Sequence, residues 1–238
     1  MPADVNADAL RSPAPRFAAR AVLFDLDGTL ADTAPDLGGA LNRMRERRGL
    51  APLPIDRLRP VASSGARGML AAGLGKAPTD PDYDSLREEF LAEYAAALDV
   101  HSRLFDGIEE LLDALARDGL GWGIVTNKAM RFTAPVVVGL GLAAARVVIA
   151  GDTTPHAKPH PAPLLAACAR LALAPERCVY VGDDRRDIEA ARAAGMPSVA
   201  AAWGYLGEGG DVTAWAADAV IDHPRALLGL LAAAPSAR

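Results

Sequence analysis

The stretch that decides the fold is Ala21-Val22-Leu23-Phe24-Asp25-Leu26-Asp27-Gly28-Thr29-Leu30. Its first four residues form a short unbroken apolar run, the kind buried on both faces of a parallel sheet. The carboxylates of Asp25 and Asp27 fall where that strand runs out, and Gly28 permits the turn that follows. In open α/β sheets, ligands bind in the crevice at the carboxyl ends of the strands. Two like charges placed there are costly unless a cation or a proton relieves them. A polar turn capping the next helix is the plainer reading of an Asp-x-Asp pair. The apolar strand before it and Gly-Thr-Leu after it favour a functional one.

Similar apolar runs recur at 122–125, 147–150, 178–181, 198–201 and 219–221. Helical patterns lie between the later ones, at 108–117, 131–140, 162–171 and 186–194. Strands alternating with helices predict an α/β fold with a parallel sheet covered on both faces. From Asp32 to Arg103 the alternation breaks and only helices are expected, over 36–48, 65–74 and 83–98. Proline- and glycine-rich joints separate them, Gly49-Leu50-Ala51-Pro52-Leu53-Pro54 and Gly75-Lys76-Ala77-Pro78. The expected division is a flexible tail over 1–19, a core from 20–32 and 104–238, and an all-helical insertion over 33–103. Hinges are expected near Asp32-Thr33 and over 102–105.

Of the 238 residues 51% are hydrophobic and 23% charged, which excludes a disordered or fibrous chain. Thirty acidic against 25 basic residues give a net charge of -5, the wrong sign for a nucleic-acid scaffold. Aromatic residues, 5% of the chain, are scattered and offer no stacking platform for bases. No apolar run reaches the roughly 18 residues of a membrane span, and the first twenty residues hold no secretory hydrophobic segment. Cys168 and Cys178 sit in apolar stretches and read as reduced core thiols. A cytoplasmic location, with no membrane or nucleic-acid partner, is the expectation.

Three further strand ends carry polar residues suited to phosphoryl transfer. Val125-Thr126-Asn127-Lys128 presents a hydroxyl and an amide, and Lys158-Pro159-His160-Pro161 an ammonium before a helix start. Val181-Gly182-Asp183-Asp184-Arg185-Arg186-Asp187 adds carboxylates at the end of another strand. Singly these read as a turn hydroxyl, a solvated charge and a helix cap. Their conjunction at successive strand ends is what points to chemistry.

The set Asp25-x-Asp27-Gly28-Thr29, Thr126, Lys158 and Gly182-Asp183 with Asp187 resembles the four motifs of the haloacid dehalogenase (HAD) superfamily. The helical insertion resembles that superfamily's first class of cap domain, and the similarity covers 21–230. The resemblance implies a HAD-like Rossmannoid parallel sheet core with an inserted all-helical cap. Dehalogenases proper lack the second aspartate, so Asp27 implies a phosphatase. It further implies Asp25 as nucleophile, through an aspartyl-phosphate, and Asp27 as general acid and base. Mg²⁺ would be held by Asp25, the main-chain carbonyl of Asp27 and Asp183. Thr126 and Asn127 would hydrogen-bond the transferring phosphoryl group, Lys158 would neutralise its charge, and Asp187 would orient Lys158. Asp184 is either a secondary metal contact or a surface residue.

The leaving group is the insertion's concern. In Ser63-Ser64-Gly65-Ala66-Arg67-Gly68-Met69, two glycines would let the backbone approach a ligand, making Ser64, Gly65 and Arg67 candidate substrate residues. The Arg67 guanidinium reads equally as a fork for a carboxylate or as a solvent-facing helix arginine. The stretches at 100–107, 122–128, 182–189 and from Trp203-Gly204-Tyr205 to Asp222-His223-Pro224 resemble a narrower group, the N-acetylmuramic acid 6-phosphate phosphatases, near relatives of 2-phosphoglycolate phosphatases. A small-molecule phosphate ester bearing a carboxylate is therefore implied, the muramic acid ester first and phosphoglycolate second. A phosphosugar mutase, which shares the chemistry but excludes water, is a third reading. A monomer or homodimer is expected.

Overall fold

The computed structural model describes residues 17–207 and 211–232. The apolar run becomes β1 (Ala21–Phe24), buried along its whole length, and the chain then reaches β2 (Ala31–Asp32). Four helices follow: α1 (Ala34–Arg47), α2 (Ile55–Leu58), α3 (Gly65–Leu74) and α4 (Tyr83–Ala95). After β3 (Arg103–Leu104) come α5 (Ile108–Arg117), β4 (Gly121–Val125), α6 (Met130–Gly139), β5 (Val148–Ile149), α7 (Ala162–Leu171) and β6 (Cys178–Gly182). The last elements are α8 (Arg185–Ala193), β7 (Ser198–Ala201), β8 (Ala219–Ile221) and α9 (Leu227–Leu230).

Six strands form one sheet in the order β5-β4-β1-β6-β7-β8, every pair parallel. Phe24 stands opposite Ile124 on β4 and Val181 on β6, so all three strands end level with one another. The chain leaves β1 for β4 on one side and later crosses to β6 on the other. That reversal opens a crevice beyond the end of β1, where Asp25 lies. Alternation sends Val22, Phe24 and Ile124 to the face under α5 and α9, and Leu23, Val125 and Tyr180 to the face under α7 and α8. Helix α5 answers with Ile108, Leu111, Leu112 and Leu115 on one side, a helical stripe.

The insertion carries an apolar centre of its own, with Leu41, Met44, Leu58, Met69, Leu70 and Phe90 buried among α1 to α4. It joins the sheet domain through an antiparallel pair, Ala31 opposite Leu104 and Asp32 opposite Arg103. Two-residue strands are too short to leave a period in the sequence, so this pair was not expected. The four residues of α2 and the 3₁₀ turn Arg59–Ser64 also escaped the pattern, being short and broken by Pro54 and Pro60. The expected bounds of α3, α5 and α7 agree with the structure.

The expected tail over 1–19 ends sooner than its composition suggests. Phe17 bridges Leu231, its N–H donating to the Leu230 carbonyl at 2.6 Å, and Ala19 is buried. The rest of that expectation, 1–16, lies outside the described residues. Among the described residues no helix is long and apolar enough to cross a membrane.

Asp36, in the first turn of α1 and buried, ties the exit of the insertion to its entry. Its carboxylate accepts from the His101 N–H at 3.0 Å and from the Ser102 N–H and hydroxyl at 2.8 and 2.7 Å. Asp36→Ala removes three part-buried hydrogen bonds to a buried carboxylate and is expected to lower the unfolding free energy by about 1–3 kcal/mol. A lower urea midpoint at unchanged slope is the measurement.

Candidate active site

Asp25 follows β1 directly, its N–H donating to the Val181 carbonyl at 2.9 Å. Its Oδ1 is buried, accepts no hydrogen bond, and stands 3.0 Å from Lys158 Nζ. Lys158 reaches it from the loop between β5 and α7. The Lys158 ammonium, nearly sealed from solvent, also donates to Asp187 Oδ1 at 2.7 Å, the Tyr180 hydroxyl at 2.7 Å and the Val125 carbonyl at 3.0 Å. Burial works against its charge, but Asp187 and Asp25 outweigh burial and raise its pKa. Lys158 is therefore a fixed cation beneath Asp25.

Asp183, at the end of β6, is fully buried. It accepts from the Thr29 hydroxyl at 2.7 Å and from the Tyr205 N–H at 2.8 Å. Space beside it is tight: a Cβ at Gly204 would fall 2.2 Å from the Asp183 Cβ and 2.4 Å from the Gly28 carbonyl oxygen. Asp187, at the third position of α8, closes a capping box with Asp184. Asp184 itself grips Arg186 through two hydrogen bonds of 2.8 Å, which makes it an anchor within the core.

Asp27 turns elsewhere. Its Oδ1 accepts from the Thr33 hydroxyl and from Lys128 Nζ, at 2.5 and 2.9 Å. Lys128 was not among the residues the sequence singled out. It immediately follows Thr126-Asn127, so the reasoning applied to that strand end reaches it one residue further along. Burial opposes the Lys128 charge, while Asp27 and Tyr94 outweigh it and raise the pKa. Its Nζ stands 4.8 Å from the centre of the Tyr94 ring on α4, so a core cation meets the insertion directly above Asp27.

Thr126 is buried at the end of β4, where its hydroxyl accepts from the Lys128 N–H at 3.2 Å. Asn127 was expected to meet substrate, but its amide engages the Lys158 main chain. Oδ1 accepts from the Lys158 N–H and Nδ2 donates to the Lys158 carbonyl, both at 2.9 Å. One N–H and one lone pair of the amide thus hold the Lys158 main chain, and the others remain beside the cleft that Asn127 lines. Tyr180 and Tyr205 were also missed. Besides holding Asp183, Tyr205 accepts at its hydroxyl from the Thr33 and Ala34 N–H groups and donates to Asp32.

Between insertion and core lies a cleft of about 310 Å³. Asp27, Lys128 and Asn127 line it from the core, and Ser64, Gly65 and Arg67 from the insertion. The sequence thus named both walls of one cavity. Gly65 has φ +56° and open space where a side chain would stand. Gly68 differs: a Cβ there would strike the Val61 carbonyl oxygen at 2.4 Å, so its absence serves packing within the insertion. A larger cavity of about 750 Å³, between α3 and the start of α8, has neither Asp25 nor Asp27 among its lining residues.

The residues fit a hard divalent cation. Asp25, Asp183 and Asp187 each offer an oxygen within 4.8 Å of the others. Carboxylate oxygens in this number suit Mg²⁺. Lys158 donates to Asp187, so Asp25 and Asp183 are the carboxylates that would hold the ion. The Asp27 Oδ1 is taken by Thr33 and Lys128, and its main-chain carbonyl would complete the set.

A family model for haloacid dehalogenase-like hydrolases matches residues 22–201. The chain is 45% identical over 217 residues to the N-acetylmuramic acid 6-phosphate phosphatase of Pseudomonas aeruginosa, covering 91% of this chain and 96% of that one. It is 48% identical over 206 residues to a phosphoglycolate phosphatase of Xanthomonas campestris pv. campestris, covering 86% and 93%. A crystal structure from Haemophilus somnus, described as a predicted phosphoglycolate phosphatase, superimposes with a TM-score of 0.77 at 26% identity, over 89% of this chain and 97% of that one. The chain belongs to the haloacid dehalogenase-like hydrolases. Within that family it is a phosphoric monoester hydrolase.

Burial, with Asp25 and Asp187 close by, holds the Asp183 carboxyl well above its ordinary range. Without a cation, the native state keeps a proton that the unfolded chain has released, so stability falls as pH rises beyond the usual carboxylate range. Added Mg²⁺ is expected to raise Tm, by more at about pH 8 than at about pH 5. Asp183→Asn is expected to raise the metal-free Tm and to abolish the response to Mg²⁺. Scanning calorimetry of both proteins with and without the ion checks it.

Proposed function

We propose that the enzyme hydrolyses a carboxylate-bearing phosphate monoester through an aspartyl-phosphate on Asp25, with N-acetylmuramic acid 6-phosphate as first substrate. The observation that carries this reading is the Asp25 Oδ1, buried and without a hydrogen-bond donor, 3.0 Å from a fixed ammonium. Ion-paired with Lys158 but free of hydrogen bonds, this oxygen keeps a lone pair for attack on phosphorus. Lys158 would offset the charge gathered when a phosphoryl group meets that oxygen. Mg²⁺, held by Asp25, Asp183 and the Asp27 carbonyl, would supply further charge neutralisation at the phosphoryl oxygens.

Asp27 would give a proton to the departing ester oxygen and then, as a carboxylate, take one from the hydrolytic water. Its two hydrogen bonds fall on Oδ1, leaving Oδ2 to carry the proton. Thr126 would donate to the transferring group, while Asn127 and Asp187 fix the main chain and the ammonium of Lys158. The helical insertion would act as a cap over the cleft, moving on the β2–β3 hinge to exclude bulk water. Arg67 and the backbone at Ser64 and Gly65 would meet the leaving group's carboxylate.

Relatives of nearly equal similarity carry two different substrate names, so identity does not choose between them. The cleft favours the larger ester. Its 310 Å³ would be mostly water around a two-carbon acid, whereas an acylated sugar acid would use it. 2-Phosphoglycolate is the alternative, and phosphosugar isomerisation a third reading that product analysis separates. A cytoplasmic setting is part of this reading, with Cys168 and Cys178 serving as buried core thiols. A monomer or homodimer suffices for such a site.

The kcat/KM for N-acetylmuramic acid 6-phosphate is expected to exceed that for 2-phosphoglycolate on one preparation, with free phosphate and unphosphorylated sugar as products. Asp25→Asn is expected to lower kcat by about ten-thousandfold or more, and chelation by EDTA to stop turnover until Mg²⁺ is restored. Asp27→Asn should cost about a hundredfold or more on the sugar ester. Its cost should be smaller on p-nitrophenyl phosphate, whose leaving group scarcely needs a proton.

A further inference from the structure

Two hydroxyls in the cleft have no partner. Tyr94, on α4, is 2% exposed, and its hydroxyl meets no partner at hydrogen-bond distance, with the Lys128 ammonium its charged neighbour. Its ring is fixed from both sides, stacked 6.4 Å from Phe90 and tilted 5.5 Å from Phe132, with Lys128 Nζ over its face. Phenylalanine would pack as well there without stranding a polar group, which costs roughly 1–3 kcal/mol when buried. The second hydroxyl is that of Ser63, sealed from solvent and equally unpartnered. The Ser63 carbonyl accepts from Arg186 Nη2 at 2.9 Å, and Asp184 holds Arg186 in turn. Ser63 is thereby fixed from α8, the helix that carries Asp187. Both residues line the cleft that Asp27 enters.

We propose that the Tyr94 and Ser63 hydroxyls form the leaving-group subsite and pair with hydroxyl or amide groups of a sugar-sized alcohol. The inference rests on the phosphatase reading above and narrows its substrate class to phosphorylated sugars. Each hydroxyl can donate and accept, so the two together suit a ligand rich in groups of both kinds. Leu37, Phe90 and Phe132 give the same cleft apolar walls for the faces of a ring. A glycolate leaving group offers only a methylene and a carboxylate, and Arg67 is available to the carboxylate.

Tyr94→Phe and Ser63→Ala test this, assayed on N-acetylmuramic acid 6-phosphate, glucose 6-phosphate, 2-phosphoglycolate and p-nitrophenyl phosphate. For each variant, kcat/KM on the two sugar phosphates is expected to fall about tenfold more than on the other two esters. An equal fall on all four would mean a structural role and would overturn the subsite. A fall on phosphoglycolate as large as on the sugars would show that the hydroxyls read a carboxylate instead. Calorimetric binding of unphosphorylated N-acetylmuramic acid supplies a readout independent of turnover. Binding that weakens about tenfold in Tyr94→Phe supports the subsite even if no ester is hydrolysed, in which case the phosphatase reading alone falls. Hydrolysis of p-nitrophenyl phosphate with no sugar binding, and no selective loss in either variant, leaves the phosphatase reading intact and overturns the subsite.

Discussion

Three carboxylates and one ammonium share the end of β1, and the structure around them is arranged by that crowding. Asp25, Asp183 and Asp187 lie within 4.8 Å of one another at their oxygens. A buried charge left unpaired costs several kcal/mol, so the ammonium of Lys158 must be placed with little freedom. Asn127 clamps its main chain, while Tyr180, Asp187 and the Val125 carbonyl take its protons. Asp183 is satisfied by Thr29 and Tyr205, and close packing at Gly204 keeps its carboxylate from turning away. The net charge of -5 describes none of this, because the local sign is set by Lys158 and by any cation the aspartates hold.

Much of the sheet was legible because a strand buried on both faces is an apolar run, and polar residues at or soon after several runs could be read directly. Asp25, Asp27, Thr126, Lys158, Asp183 and Asp187 were found this way, and the structure brings them to one end of the sheet. Roles that depend on side-chain direction were less visible. Asn127 follows Thr126 in a position that suggests contact with a ligand, yet its amide turns to the Lys158 backbone. Lys128 was given no role by the sequence, and only the fold places Asp27 and Tyr94 beside it. Tyr94 lies in α4, outside the four strand-end motifs, and no local pattern could announce that its hydroxyl would be stranded in the cleft.

Cation, acid and insertion meet at one point. Lys128 touches Asp27 through a hydrogen bond and Tyr94 through its ring face, so the acid–base group and the insertion share a single side chain. Tyr205 makes a second link, with its main chain on Asp183 and its hydroxyl on the first residues of α1. The position of the insertion is therefore tied to Asp27 and Asp183, two of the carboxylates on which the proposed chemistry depends.

The antiparallel pairing of Ala31 with Leu104 and Asp32 with Arg103 brings the start and finish of the helical segment side by side. A segment that leaves and re-enters at one place can be lengthened, shortened or replaced without pulling the parallel strands apart. Phosphoryl transfer is built on the strand ends, whereas the wall facing the rest of the substrate is largely carried on that segment. Such a chain can diversify what it accepts while its reacting groups stay fixed, and sheet and insertion can accumulate change at separate rates.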